Sequence, residues 1–257
     1  MTRFPALTAS ALAIAYVLSG SDAQAAGVSK AVSAAVADPA RPQTDRDRDA
    51  VRKPAETVAF AGVKPGDRVV ELIPNAGYYT RILSGVVGPK GHVFAAPPPK
   101  RPNAPEGSPD PGAGSQAIAA DPHYGNVTVL QQRFTDITVP EPVDVVWTSL
   151  NYHDFHNVPN SDIATFNKAM FNLLKPGGTY IVLDHAAEAG SGARDTSKLH
   201  RIDPAAVKEE VTAAGFKFEG QGNFLHNPDD PHTAPVFDAS IRGKTDQFIM
   251  KFMRPKK

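Results

Sequence analysis

The chain has 257 residues, 27 basic and 27 acidic side chains and no cysteine. Balanced charge argues against partners held by bulk electrostatics, nucleic acid and anionic membrane among them, and leaves a small molecule as the expected partner. Without thiols there is neither a disulfide framework nor thiolate chemistry, so stability has to come from burial.

Met1 to Ala25 carries Arg3, an apolar run from Ala11 to Leu18 and the small-x-small site Ala23-Gln24-Ala25. It reads as a cleaved secretory signal, because the run falls short of the roughly 20 residues that span a bilayer. The expectation is a periplasmic or secreted protein, free of the membrane after cleavage. Ala26 to Gln43 reads as a flexible leader, and residues 44–257 as one domain. Thr44 to Gly62 opens it as a charged helix, bent at Pro54 and stopped by Gly62. Its alternating charges indicate a solvated face, with Arg52 or Lys53 as the side chains able to close over a ligand.

Arg68 to Ile73 follows as a strand, Tyr78 to Val87 as a helix and His92 to Ala96 as a strand. Pro97 to Gly114, "PPPKRPNAPEGSPDPGAG", is a proline-rich loop. Beyond it, Val127 to Gln131 and Val143 to Ser149 read as strands, Ser161 to Leu174 as a helix and Thr179 to Asp184 as a strand. Pro204 to Ala214 is a helix, and Phe216 to Leu225 and Asp246 to Met253 are the last strands. Apolar strands alternating with amphipathic helices predict an α/β fold with a mostly parallel sheet covered on both faces. Ligands of such sheets sit at the carboxyl ends of the strands.

The junction "VVELIPNAGYYT", Val69 to Thr80, is a strand-to-helix turn of the kind that presents backbone N–H groups to a ligand. It lacks the G-x-G-x-x-G of a dinucleotide site, so a tight structural turn is the competing reading. Together with "GPKGHVFA", "DVVWTSLNYHDFHN", "LLKPGGTYIVLDHA" and "AAGFKF", it resembles the class I S-adenosylmethionine-dependent methyltransferases from about Asp45 to the C-terminus. More narrowly, Asn151-Tyr152-His153-Asp154, Leu199-His200-Arg201-Ile202-Asp203 and Arg242-Gly243-Lys244-Thr245-Asp246 resemble segments of exported predicted methyltransferases.

The resemblance implies a doubly wound seven-stranded, mostly parallel sheet with an antiparallel last strand. It implies S-adenosylmethionine as cofactor, held by Glu71, Asn75, Gly77, Tyr79 and Thr80, and methyl transfer to a small O- or N-nucleophile. Asn151, Tyr152, His153 and Asp154 follow the fourth strand, where amino methyltransferases of this fold hold the acceptor, and His185 joins them as a catalytic candidate. Two positions depart from the pattern. Only Gly77 remains of the glycine-rich loop, and Pro97 stands where an acidic residue grips the ribose.

Asp184, His200, Arg201 and Arg242 are the substrate-binding candidates of the same rim. His153 or His185, oriented by Asp154 or Asp184, suits acid–base work. Arg201 and Arg242 suit an anion clamp, which would make the chain a non-catalytic small-anion-binding module. His153, His185 and His200 with Asp184 would satisfy a zinc-like ligand set and a metal-assisted hydrolase. No H-x-x-x-H or H-E-x-x-H spacing supports that reading, and no metal is expected. Structural hydrogen bonding of the loops is the fourth reading. Trp147 is expected in the core, and His123, His156, His226 and His232 at the surface.

Overall fold

The computed structural model describes residues 27–101, 103–160 and 162–256; the signal segment expected over Met1 to Ala25 lies outside them. Among the described residues the strands are β1 (Arg68–Leu72), β2 (His92–Ala96), β3 (Val127–Val129), β4 (Val143–Ser149), β5 (Leu174–His185), β6 (Lys217–Gly222) and β7 (Gln247–Met253). They form one sheet in the order β3-β2-β1-β4-β5-β7-β6. The strands from β3 to β5 pair in parallel, and β7 runs antiparallel to both neighbours.

Alternation along the strands decides the layers. Val69, Val93, Trp147, Ile181 and Ile249 pack on one face, and Val70, Phe94, Val146, Val182 and Met250 on the other, the period of two of a pleated strand. Neither set is exposed, because helices cover both faces. On the first side lie α1 (Lys30–Val36), α4 (Pro54–Ala61), α5 (Tyr78–Val87) and α6 (Ala113–Ala119). On the second lie α7 (Tyr152–Phe155), α8 (Ile163–Leu173) and α9 (Pro204–Ala213). Connections leave β1 and β4 in opposite directions, so a crevice opens at their carboxyl ends.

Three sequence expectations need correction. The expected leader, described from residue 27 onward, is not loose: Ser29 caps α1, and Val32 and Ala35 are buried. A Cβ at Gly85 of α5 would lie 2.9 Å from that of Ala35, so the glycine is what lets the two helices touch. Arg41, 1% exposed, then ties the segment down through both terminal nitrogens to Asp49, at 2.7 and 2.8 Å. The charged helix from Thr44 is three pieces, α2 (Gln43–Arg46), α3 (Asp49–Arg52) and α4, broken at Lys53 with φ 43°. Pro54 disfavours the right-handed helical region for the residue before it. Finally, the proline-rich loop leads into α6, which no hydrophobic periodicity announced.

Val32 gives the docked segment a direct test. Val32→Ala removes two buried methyl groups and should cost about 1–2 kcal/mol, read as a lower urea midpoint at unchanged m-value. An unchanged midpoint would mean that α1 does not pack on the domain.

Candidate functional site

The crevice between β1 and β4 holds a small cleft of about 90 Å³ lined by Arg52, Glu71, Asn75, Tyr78, Tyr79 and Leu150, among others. Its walls are strained in one place after another. Ile73, Asn75 and Leu150 all line it with positive φ, at 47°, 53° and 58°. Asn tolerates that region, but a β-branched or bulky residue adopts it only where its surroundings impose it. Among the expected cofactor residues, Glu71, Asn75 and Tyr79 line the cleft. Gly77 and Thr80 do not. A Cβ at Gly77 would stand 2.0 Å from Ile118 Cδ1, so this glycine, with φ 79°, serves the approach of α6 to α5. The Thr80 hydroxyl donates to Glu71 Oε2 at 2.6 Å and reaches the cleft only through it.

Glu71 is 2% exposed, and burial raises its pKa to about 7, against the pull of Thr80 and Arg81. Arg52 is its counterpart. Burial pushes the guanidinium pKa down, the ring of Tyr78 lies 4.5 Å from its central carbon, and no side-chain or backbone acceptor meets it among the described residues. Its neighbours are all engaged: Arg48 with Asp45, Arg41 with Asp49, and Lys53 with the Phe224 carbonyl. In the sequence Arg52 reads mainly as part of a solvated face. The signal that separates it is the break before Pro54, which turns α3 independently of α4.

A second cluster lies along the rim beyond β4 and β5. Asp184, fully buried at the end of β5, accepts the backbone N–H of His153 at 2.8 Å and that of His185 at 2.8 Å. Its two oxygens also hold His153 Nδ1 at 2.8 and 3.0 Å. His153 Nε2 therefore points away from the sheet, 3.3 Å from Asp154 Oδ1, and His200 Nδ1 lies 3.7 Å from the same oxygen. Burial alone would lower the His153 pKa, but Asp184 and Asp154 together raise it to about 10. A ring held protonated is no general base at neutral pH, which leaves that part of the acid–base reading to His185. His185 goes the other way: burial, with His153, Arg201 and Arg52 nearby, lowers its pKa to about 4 despite Asp184. Thr245 Oγ1 meets its Nδ1 at 2.8 Å.

Several expected site residues turn out to be scaffold. Asn151 is 1% exposed and is consumed by Thr148 and by the carbonyls of Leu72, Ile73 and Ser149, so it ties the ends of β1 and β4 together. Tyr152 points into the opposite helix layer, donating to Glu210 at 2.9 Å and accepting from Asn167 at 2.8 Å. Arg201, fully buried, spends its guanidinium on Asp230 and on the carbonyls of Ala186 and Ala234. It is not available as an anion clamp, and Arg242 is exposed on its own turn.

This strand order, with its antiparallel β7 and its cleft at the β1/β4 switch, defines the fold of the class I S-adenosylmethionine-dependent methyltransferases. A methyltransferase of Aquifex aeolicus superposes with TM-score 0.57 at 18% identity over 83% of this chain and 98% of that one. An arsenic(III) methyltransferase of Chlamydomonas reinhardtii gives 0.53 at 18% over 88% and 73%. In sequence, the chain is similar to the ubiquinone/menaquinone biosynthesis C-methyltransferase UbiE of Vibrio vulnificus, 30% identical over 129 residues, 50% of this chain and 45% of the relative. UbiE of Vibrio parahaemolyticus is 29% identical over 189 residues, 72% of this chain and 68% of that protein. The chain spans about half the length of most of the curated relatives it matches. No protein-family profile matches it.

The His185 assignment has a pH signature. A histidine that titrates at about 4 when folded and about 6.5 when unfolded binds more protons unfolded, so stability falls as pH drops from 6.5 to 4. In His185→Gln the slope of unfolding free energy against pH in that window should flatten by about one proton. A slope equal to the parent's would mean that His185 is not held neutral.

Proposed function

We propose that the protein is an exported S-adenosylmethionine-dependent methyltransferase acting on a small O- or N-nucleophile. One observation carries the reading. The cleft at the β1/β4 switch offers an acceptorless, desolvated Arg52 and a buried Glu71, the complement of an amino acid's carboxylate and ammonium. The methionyl end of the cofactor has that pair, so the residues fit it there. Its nucleoside end would meet different groups. Pro97 is buried at the end of β2, and the polar side chains nearby are Gln131 and Asp110, which hydrogen-bond at 2.8 Å while Gln131 also reaches the Pro98 carbonyl.

The cofactor would supply a sulfonium-activated methyl group, leaving positioning as the protein's main contribution. Arg52 and Glu71 would fix the amino-acid end, and the left-handed turns at Ile73, Asn75 and Leu150 would aim backbone groups into the cleft. Asn151 would keep the β1 and β4 rims at constant separation. The acceptor would approach from the side of His153, Asp154 and His200. The likeness to UbiE favours a second reading, a carbon acceptor. Carbon-13 chemical shifts of transferred methyl groups separate O- or N-methyl from C-methyl products.

Binding of S-adenosylmethionine, followed by calorimetry, tests the first step. Arg52→Met should weaken it roughly 10–100-fold, the value of a charged hydrogen bond. A cation placed beside Glu71, whose pKa is about 7, should drive off its proton, so binding near pH 7 should release roughly half a proton. Heats measured in buffers of different ionisation enthalpy would show that release, and Glu71→Gln should abolish it. Absence of binding by the parent protein would end the reading.

Export has its own check. The mature N-terminus should fall at Ala26 or Gly27, since Ala23 and Ala25 are the small residues before the cut. The intact mass of the exported protein decides, and a species retaining Met1 would contradict the assignment.

A further inference from the structure

We propose that His153, Asp154 and His200 form a three-ligand site for a divalent zinc-class metal ion. His153 Nε2, Asp154 Oδ1 and His200 Nδ1 all lie within 4.8 Å of one another, with edges of 3.3 and 3.7 Å meeting at the carboxylate. Zinc binds histidine nitrogen and carboxylate oxygen at about 2.0–2.2 Å in a tetrahedron, which sets donor–donor edges of about 3.3–3.5 Å. Small rotations of two partly exposed side chains close the remaining gap.

The donors are also prepared for a metal from behind. A ligating histidine nearly always gives its other ring N–H to a carboxylate, which fixes the tautomer and turns the remaining lone pair to the ion. Asp184 does this to His153, whose Nε2 proton the ion would displace to solvent on binding, and its other contacts, the backbone N–H groups of His153 and His185, leave it no freedom to turn. His200 is held by a different device. Its backbone sits at φ 54°, Arg201 beside it is locked onto Asp230, and its ring packs at 4.9 Å on Phe237. Asp154 is 45% exposed, so an ion has a way in from solvent and a position left open for water or another ligand.

The zinc-like set weighed from the sequence shares His153 and His200 with this one but takes His185 and Asp184 where the structure brings Asp154, and the donors come from two segments, 46 residues apart between Asp154 and His200. A second histidine cluster, His226 and His232 on Asp246, lacks the arrangement, since the two imidazoles meet opposite oxygens of the carboxylate and the three donors do not all come within 4.8 Å of one another. It serves as the control. With two nitrogens and one oxygen the site suits a borderline ion such as Zn²⁺ or Co²⁺ rather than Ca²⁺ or Mg²⁺, which take oxygen ligands. The assignment does not depend on methyl transfer. Under that reading, the ion would stand on the acceptor side and lower the pKa of a coordinated hydroxyl.

The experiment is titration of the full-length mature protein with Co²⁺, followed by visible absorption, and competition by Zn²⁺ against a chromophoric chelator. One equivalent should bind, with intense d–d bands of a four- or five-coordinate ion. Asp154→Asn and His200→Gln, both at partly exposed positions, should weaken Zn²⁺ binding at least 100-fold without changing the circular dichroism spectrum. Asp184→Asn should weaken it about 10–100-fold, as loss of an outer-shell carboxylate does, and His226→Gln should leave it unchanged. Zinc affinity unaltered by Asp154→Asn and His200→Gln would overturn the proposal, and so would binding no tighter than millimolar in the parent protein.

Discussion

The buried carboxylate of Asp184 is the constraint on which the rim depends. An anion with no access to water must be met by donors or by a cation, because an unpaired charge in the interior costs several kcal/mol. Here it is met by two backbone N–H groups and one imidazole. Satisfying them fixes the first turn after β4, since the N–H of His153 can reach Asp184 only if Asn151 and Tyr152 have already turned the chain. That turn sends Tyr152 into the helix layer and leaves His153 over the sheet edge. The rim is thus organised by an ion pair between Asp184 at the end of β5 and His153 in α7, with the sheet register of β4 and β5 holding the partners in place.

A parallel arrangement governs the far end of the rim. Arg201 and Asp230 are both fully buried and paired, and their remaining hydrogen-bonding capacity is taken by the carbonyls of Ala186 and Ala234 and by the N–H groups of His232 and Asp246. Two long loops, 186–203 and 223–246, converge on this one pair. Replacing one member would leave an uncompensated charge, whereas its present value is to hold the loops in a single arrangement. The segment Leu199 to Asp203 consequently alternates between roles: Arg201 anchors, Asp203 caps α9 and accepts Gly190 N–H, and only His200 is left facing the rim.

This alternation explains how much was legible in the sequence. Strand apolarity and helix stops follow local rules, so β1, β2, α5 and α9 fall within a residue of expectation, and the order of motifs gave the fold. Which member of a polar motif faces a ligand is decided elsewhere in the chain. Asn151 and Tyr152 are polar residues in the expected place, yet Leu72, Ile73, Glu210 and Asn167 claim them. Arg201 looked like a clamp because Asp230, 29 residues on, carries no local sign of being its partner. Arg52 was hidden for the opposite reason: in a run of alternating charges, only the tertiary structure shows which cation is left over.

The two sites share a wall, and this bears on how they act together. Ser149 and Leu150 line the cleft, and three residues later His153 turns onto the rim, so the end of β4 serves both. Leu150 takes a left-handed conformation at this hinge, with its N–H bound to the Leu183 carbonyl of β5. A ligand that pressed on Leu150 would have to move the bond to β5 or the strained residue itself, and packed interiors shift between discrete arrangements rather than deforming continuously. Arg52 lies on the other side of the same junction, close enough to act on His185 electrostatically. An anion that neutralised Arg52 in the cleft would therefore remove one of the positive charges that keep His185 unprotonated, and the rim would register occupancy of the cleft through charge as well as through contact.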